Sequence, residues 1–184
     1  MRTFVSIDLD GLADAVAEAQ EPFDRAGLRP VDPAGAHVTL KFLGEVAPDR
    51  VPALTNALAE AVAAADVAPF TATFEGYGVF PSLDYISVIW LGVGEGAAEM
   101  TRLATAIEDR FEALGFDRER HEFTPHVTVA RMDDAREKAH VQDVVENRQP
   151  AVGPLEVSEV RLTKSTLTGE GPEYETVGRV PLDG

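Results

Sequence analysis

The sequence predicts an α+β protein built from two pseudo-symmetric β-α-β-α-β lobes. Three observations lead there. Apolar residues switch between strand spacing and helical spacing along the whole 184-residue chain. The element order repeats at a nearly constant offset, so that a helix from about 49 recurs near 134 and a strand from about 70 recurs near 155. The tetrapeptide HVTL at 37–40 returns as HVTV at 126–129.

In the first half, FVSIDL at 4–9 reads as a short strand, followed by a helix over about 11–26. AHVTLKFL at 36–43 alternates, with Val38, Leu40 and Phe42 on one face and His37, Thr39 and Lys41 on the other. That parity assigns Phe42 to the core. Val51, Leu54, Leu58 and Val62 mark a helix over about 49–65, with Pro48 before it and Pro52 in its first turn. Strands follow near 70–77 and 84–92; the second, YISVIWL, is apolar on both faces and therefore central.

In the second half, Met100, Leu103, Ile107, Phe111 and Leu114 form one stripe of a helix over 97–114, ended by Gly115. A strand at about 123–131, a helix at 134–147 and strands at 155–163 and 174–180 complete the order. No Ser/Gly linker separates the halves, so residues 1–184 read as a single bilobal domain, with lobes of about 1–80 and 84–180.

Composition narrows the function. Forty-five per cent hydrophobic residues is a globular value. Thirty-two acidic residues against sixteen basic ones give a net charge of −16, and only three of the cations are Lys. Such a surface is the solvated kind suited to a salty cytoplasm, and it has no basic groove for a long nucleic acid. An anionic ligand would have to be held by short-range contacts in a pocket. No apolar run approaches the roughly 20 residues of a membrane span, and MRTFVSIDLD lacks a signal-peptide core, so a cytoplasmic monomer is expected. Without Cys there are no disulfides and no thiolate metal ligands.

The chemistry is carried by the repeated tetrapeptide. Two of the four His, His37 and His126, stand in the same His-apolar-Thr-apolar context at corresponding places. On a strand, residues i and i+2 share a face, so each motif presents an imidazole beside a hydroxyl, His37 with Thr39 and His126 with Thr128. Related by a pseudo-twofold axis, the two pairs would face each other across a cleft. Two imidazoles can then exchange protons near neutral pH while two hydroxyls bind one tetrahedral anion, the set that in-line displacement at phosphorus needs. A two-His metal site and a purely structural pair are the alternatives; each motif has Thr where a metal site would want carboxylate. HExxH, GxxxxGK[ST] and GxGxxG are all missing. No metal and no cofactor is expected.

HVTLKFLGEV at 37–46, TPHVTVAR at 124–131 and KSTLTGEGPEYE at 164–175 resemble the 2H phosphoesterase superfamily, and within it the RNA 2′,3′-cyclic phosphodiesterase branch, also called 2′-5′ RNA ligase. MRTFVSIDL and VIWLGV at 88–93 are similar to that branch too, so the resemblance spans the chain. It implies antiparallel-rich sheets flanking a central cleft and metal-independent opening of a 2′,3′-cyclic phosphate at RNA termini. By position, His37 would be the proton donor to the leaving 3′ oxygen and His126 the proton acceptor from water. Thr39 and Thr128 would hold non-bridging oxygens. The near symmetry of the motifs leaves the two His roles undecided without the resemblance.

Arg131 stands where the family has an arginine, but strand parity turns it away from His126 unless the strand breaks or twists before it. Lys41 shares the predicted face of His37 and is a second candidate for substrate phosphate. Tyr174 and Ser165 read as structural, and His121 and His140 as surface residues. The same two His would equally serve 2′-5′ ligation, a 2′-5′ phosphodiesterase or a small cyclic nucleotide. A non-catalytic RNA-end binding module would not need the paired motifs.

Overall fold

The computed structural model describes residues 1–183, organised around one nine-stranded sheet in which every pairing is antiparallel. The strands are β1 (Arg2–Asp8), β2 (Leu28–Pro30), β3 (His37–Glu45), β4 (Phe70–Pro81), β5 (Ile86–Val93), β6 (His126–Met132), β7 (Val152–Val157), β8 (Glu159–Thr168) and β9 (Gly171–Pro181). Four helices accompany them: α1 (Ala13–Gln20), α2 (Val51–Ala65), α3 (Ala97–Glu112) and α4 (Lys138–Asn147).

Strand order is β7-β4-β5-β6-β3-β1-β8-β9, with the short β2 also paired to β6. The order is symmetric about the β6–β3 junction, where the two motif strands meet at a single pair, Val38 opposite Val127. The predicted α+β class and repeat of motif strands therefore hold. The lobes, however, are not the two sequential halves. One lobe takes β1, β3, β8 and β9 from both ends of the chain; the other takes β4, β5, β6 and β7 from its middle. The strand expected at 155–163 is two strands, split at Ser158, and the chain changes lobe there. Because a single residue joins edge strand β7 to β8 near the opposite edge, the sheet must curl back on itself.

Helices follow the same exchange. α2 and α3 pack together against β9 and β3, whereas α1 and α4 cover β6, β7 and β4. Of the α3 stripe predicted from its spacing, Met100, Leu103, Ile107 and Phe111 are wholly buried, whereas Leu114 lies past the end of the helix and is only partly buried. Each wholly buried side chain contributes roughly 1.5–3 kcal/mol by transfer from water. α1 is shorter than its apolar pattern suggested; the chain leaves it in a 3-10 turn at Glu21–Phe23 containing Pro22. Both helical layers lie on the outer side of the sheet, which leaves the inner side of the motif strands free.

Candidate active site

The site is built on the β3–β6 junction. Val38 and Val127 are fully buried and face each other on the outer side of the sheet. Antiparallel direction about that pair puts His37 across from Thr128 and Thr39 across from His126 on the inner side. Each imidazole is thus neighbour to the hydroxyl of the other motif.

Both rings are oriented in the same way. His37 Nδ1–H donates to the Gly35 carbonyl (2.8 Å), and His126 Nδ1–H donates to the Thr124 carbonyl (2.6 Å), in each case two residues upstream. A carbonyl can only accept, so the proton belongs on Nδ1 and Nε2 is left for chemistry in both rings.

Aromatic rings complete the walls. His37 stacks on Phe4 at 4.8 Å and meets the edge of Tyr174 at 5.2 Å. His126 lies edge-on to Phe80 at 4.9 Å and against Trp90 at 5.8 Å. Small residues permit this closeness: a Cβ on Gly35 would stand 2.9 Å from the Tyr174 ring, and one on Gly78 would stand 2.2 Å from Trp90. Burial among these rings pushes both imidazoles below their ordinary pKa. At His37 the Gly35 carbonyl and the nearby Asp8 carboxylate oppose that shift; at His126 the charge of His37 adds to it, against the Thr124 bond.

Both motif strands carry a bulge at the last residue of the motif. In β3, Ser6 pairs with Thr39 and Val5 with Lys41, which leaves Leu40 without a partner on β1. In β6, Trp90 pairs with Thr128 and Ile89 with Ala130, which leaves Val129 without one on β5. An extra residue reverses the facing of everything beyond it. Leu40 and Lys41 are therefore buried in succession, as are Val129 and Ala130.

Three expectations change for that one reason. Lys41 leaves the His37 face: its wholly buried ammonium pairs with Glu108 of α3 and donates to the Asp117 carbonyl at 2.9 Å. It is a clamp between β3 and the segment after α3, not a phosphate ligand. Phe42, expected in the core, is 64% exposed on the inner side, 6.2 Å from Phe4. Arg131 is returned to the side of Thr128 and Trp90, and its charge acts on the Tyr174 phenol of the other lobe.

The remaining candidates sort readily. Tyr174, read as structural, closes over His37. His121 is exposed, while His140 is partly buried and hydrogen-bonds the Pro22 carbonyl through Nε2 at 2.7 Å. Phe4, Phe80, Trp90 and Asp8 join the site although they lie outside the repeated motifs. The alternation of Phe4, Ser6 and Asp8 along β1 was the available signal. Among the described residues no group of three or more His, Asp or Glu is placed to hold a metal ion, and no helix is long and apolar enough to cross a membrane.

The chain and its fold resemble those of known proteins. Residues 9–168 match the model of the 2′-5′ RNA ligase superfamily. The RNA 2′,3′-cyclic phosphodiesterase of Archaeoglobus fulgidus is 35% identical over 181 residues, covering 95% of this chain and 97% of the relative. That of Aeropyrum pernix is 36% identical over 170 residues, 92% of each chain. Among solved structures, TT0787 of Thermus thermophilus superposes with a TM-score of 0.75 at 28% identity, over 100% of this chain and 99% of that one. E. coli LigT in its apo form shares the fold, with a TM-score of 0.78 at 24% identity over 100% of this chain and 98% of its own.

Proposed function

The chain belongs to the 2′-5′ RNA ligase superfamily, and we propose that it hydrolyses 2′,3′-cyclic phosphate ends of RNA to 2′-phosphomonoesters. The observation that carries this reading is the pair of imidazoles with free Nε2 atoms, each opposite the hydroxyl of the other motif. A phosphorus held between the two motifs would have one such imidazole on either side.

In this reading water attacks phosphorus in line with the bond to the 3′ oxygen. His126 Nε2 takes the water proton, the P–O3′ bond breaks, and His37 Nε2–H protonates the departing 3′ oxygen. A 2′-phosphate and a 3′-hydroxyl remain. Thr39 and Thr128 donate to the non-bridging oxygens, and Arg131 answers the charge of the phosphate. A net charge of −16 favours handling one RNA end over holding two for ligation.

Activity then needs His126 neutral and His37 protonated. As pH rises, kcat/KM climbs through the His126 titration and falls through that of His37. Since burial lowers both, the optimum of the free enzyme is expected on the acid side of the ordinary imidazole value. The test is hydrolysis of an oligonucleotide ending in 2′,3′-cyclic phosphate, in molar KCl with EDTA, with the product's phosphate position identified. A 2′-phosphate is expected. A 3′-phosphate product, or no turnover by folded protein, would overturn the reading.

A further inference from the structure

The two motifs are alike in sequence, in bulge and in ring orientation, so nothing within them decides which histidine holds the proton. The strands beside them differ. On β1 the residue opposite His37 is Asp8; on β5 the residue opposite His126 is Gly92. These are equivalent places under the pseudo-twofold, since β1 and β5 flank β3 and β6 in the symmetric order.

We propose that Asp8 allocates the proton in this site: its carboxylate, fixed beside His37, favours the imidazolium there, while the missing side chain at Gly92 leaves His126 to be the neutral base. The proposal rests on the proposed hydrolysis for its catalytic meaning, but not for its physical content.

Asp8 is held rigidly enough to do this. Its Oδ1 accepts from the Ser6 hydroxyl at 2.7 Å, and Ser6 is bonded in turn to the Thr163 hydroxyl at 2.9 Å. Its Oδ2 accepts from Arg161 at 2.8 Å. Arg161 does not cancel the charge, because the same guanidinium also pairs with Asp10 and Glu159. The cluster behind His37 therefore keeps a negative balance even with Arg179 on Glu159. Directly opposite residues in a sheet stand about 4.5–5.5 Å apart at Cβ, close enough for a carboxylate to stabilise an imidazolium.

The other groups around the pair do not supply this bias. His37 faces the neutral phenol of Tyr174 from β9 and the Gly35 carbonyl from the preceding turn. From β6 it faces His126, which feels the charge of His37, and Arg131 acts on the Tyr174 phenol. From its own lobe His126 faces the rings of Phe80 and Trp90 and the Thr124 carbonyl. Glu75, opposite Gly92 on β4, lies instead over Gly94, where a Cβ would stand 2.7 Å from its carboxyl carbon. A side chain at Gly92 is also blocked, with its Cβ 2.9 Å from the Glu75 carbonyl oxygen.

The experiment is a site-resolved NMR titration of the His37 and His126 rings in the whole protein, comparing wild type with Asp8→Asn and Arg161→Gln. Asp8→Asn should lower the His37 midpoint by on the order of one pH unit, with a smaller change at His126. Arg161→Gln, which unmasks Asp8, should raise the His37 midpoint; this opposite sign cannot come from general loosening of the sheet. On the cyclic-phosphate substrate, Asp8→Asn should draw in the alkaline limb of kcat/KM and leave the acid limb in place. A His37 midpoint that stays put in folded Asp8→Asn, or moves the same way in both variants, overturns the proposal. Should Asp8→Asn not fold, Asp8→Ser, which keeps an oxygen to accept from Ser6 or Arg161 but carries no charge, takes its place with the same expected fall at His37. Because the titration needs no turnover, failure of the hydrolysis itself is read separately, from wild type.

Discussion

The motif strands β3 and β6 are built alike and differ in the charged side chains around them. Each offers an imidazole with Nδ1 tied to a carbonyl two residues upstream, a hydroxyl two residues on, and a bulge immediately after. Beyond the bulge the likeness ends. The residue returned to the inner side is exposed Phe42 on β3 and Arg131 on β6. The residue sent outward is Lys41 on one and Ala130 on the other. The lesson is a division of labour: in the proposed reaction the shared parts would carry the protons, and the unshared parts would give the site its direction.

The sharpest way to break the comparison is to remove the shared groups one at a time. His37→Ala and His126→Ala should each lower kcat by about 10²–10⁴-fold, the usual worth of one positioned acid or base. The double variant should be little worse than either single one, because the pair acts as a unit. Single-turnover rates on the cyclic-phosphate substrate measure this. A loss confined to one histidine would mean that the likeness of the strands is only structural.

That likeness was legible in the sequence because HVTL and HVTV repeat and because strand alternation places i and i+2 together. What failed was parity past the motif. A strict period of two puts Lys41 beside His37 and Arg131 away from His126, and one inserted residue at Leu40 or Val129 reverses each assignment. Nothing in the local composition announces either bulge, since Leu40-Lys41 and Val129-Ala130 read as ordinary alternation with a chance apolar residue. The membership of the lobes was hidden for a different reason. Periodicity reports that β4 and β8 are strands but not which sheet edge each joins, and the one-residue turn at Ser158 leaves no Gly or Pro to mark the change of lobe. Asp8 stays hidden because FVSIDL announces a strand without saying which strand it pairs with or which of its faces meets His37.

The outward pair sharpens the comparison through stability. Lys41→Met leaves Glu108 facing an apolar chain, with its second oxygen still accepting from the Glu119 amide at 2.7 Å. Removing one partner of a buried ion pair costs about 3–5 kcal/mol, and adding Glu108→Gln should recover part of that. Ala130 makes no such clamp, so its mild replacement by Ser should cost much less. Denaturant melts of the three variants read the difference, and an unaltered midpoint for Lys41→Met would place the clamp among surface pairs of little worth.

The inward pair sharpens it through substrate. Arg131→Met should reduce kcat/KM by about 10–100-fold, the worth of a hydrogen bond to a charged group at about 1.5–3 kcal/mol, with partial rescue by Arg131→Lys and an unchanged melting midpoint. Should activity persist and stability fall instead, Arg131 serves the sheet and not the phosphate.

Phe42 gives the smallest effect and tests the remaining side of the same argument. Its ring is open to solvent at the mouth of the His37 half, beside Phe4, in a chain with few cations to hold an RNA backbone. A flat apolar ring there can bind a base through its face, a contact worth about 1–3 kcal/mol per base and indifferent to salt screening in a way that ion pairs are not. Phe42→Ala should therefore raise KM about 10-fold, at the lower end of that range, with kcat nearly unchanged. Phe42→Trp should preserve KM. The discriminating substrate is one whose nucleotide next to the cyclic end is abasic: if Phe42 stacks on that base, wild type and Phe42→Ala should then bind it equally well. A difference that persists on the abasic substrate would show that the ring acts by packing on Phe4 and thereby on His37, and the two halves of the site would be less separable than their surroundings suggest.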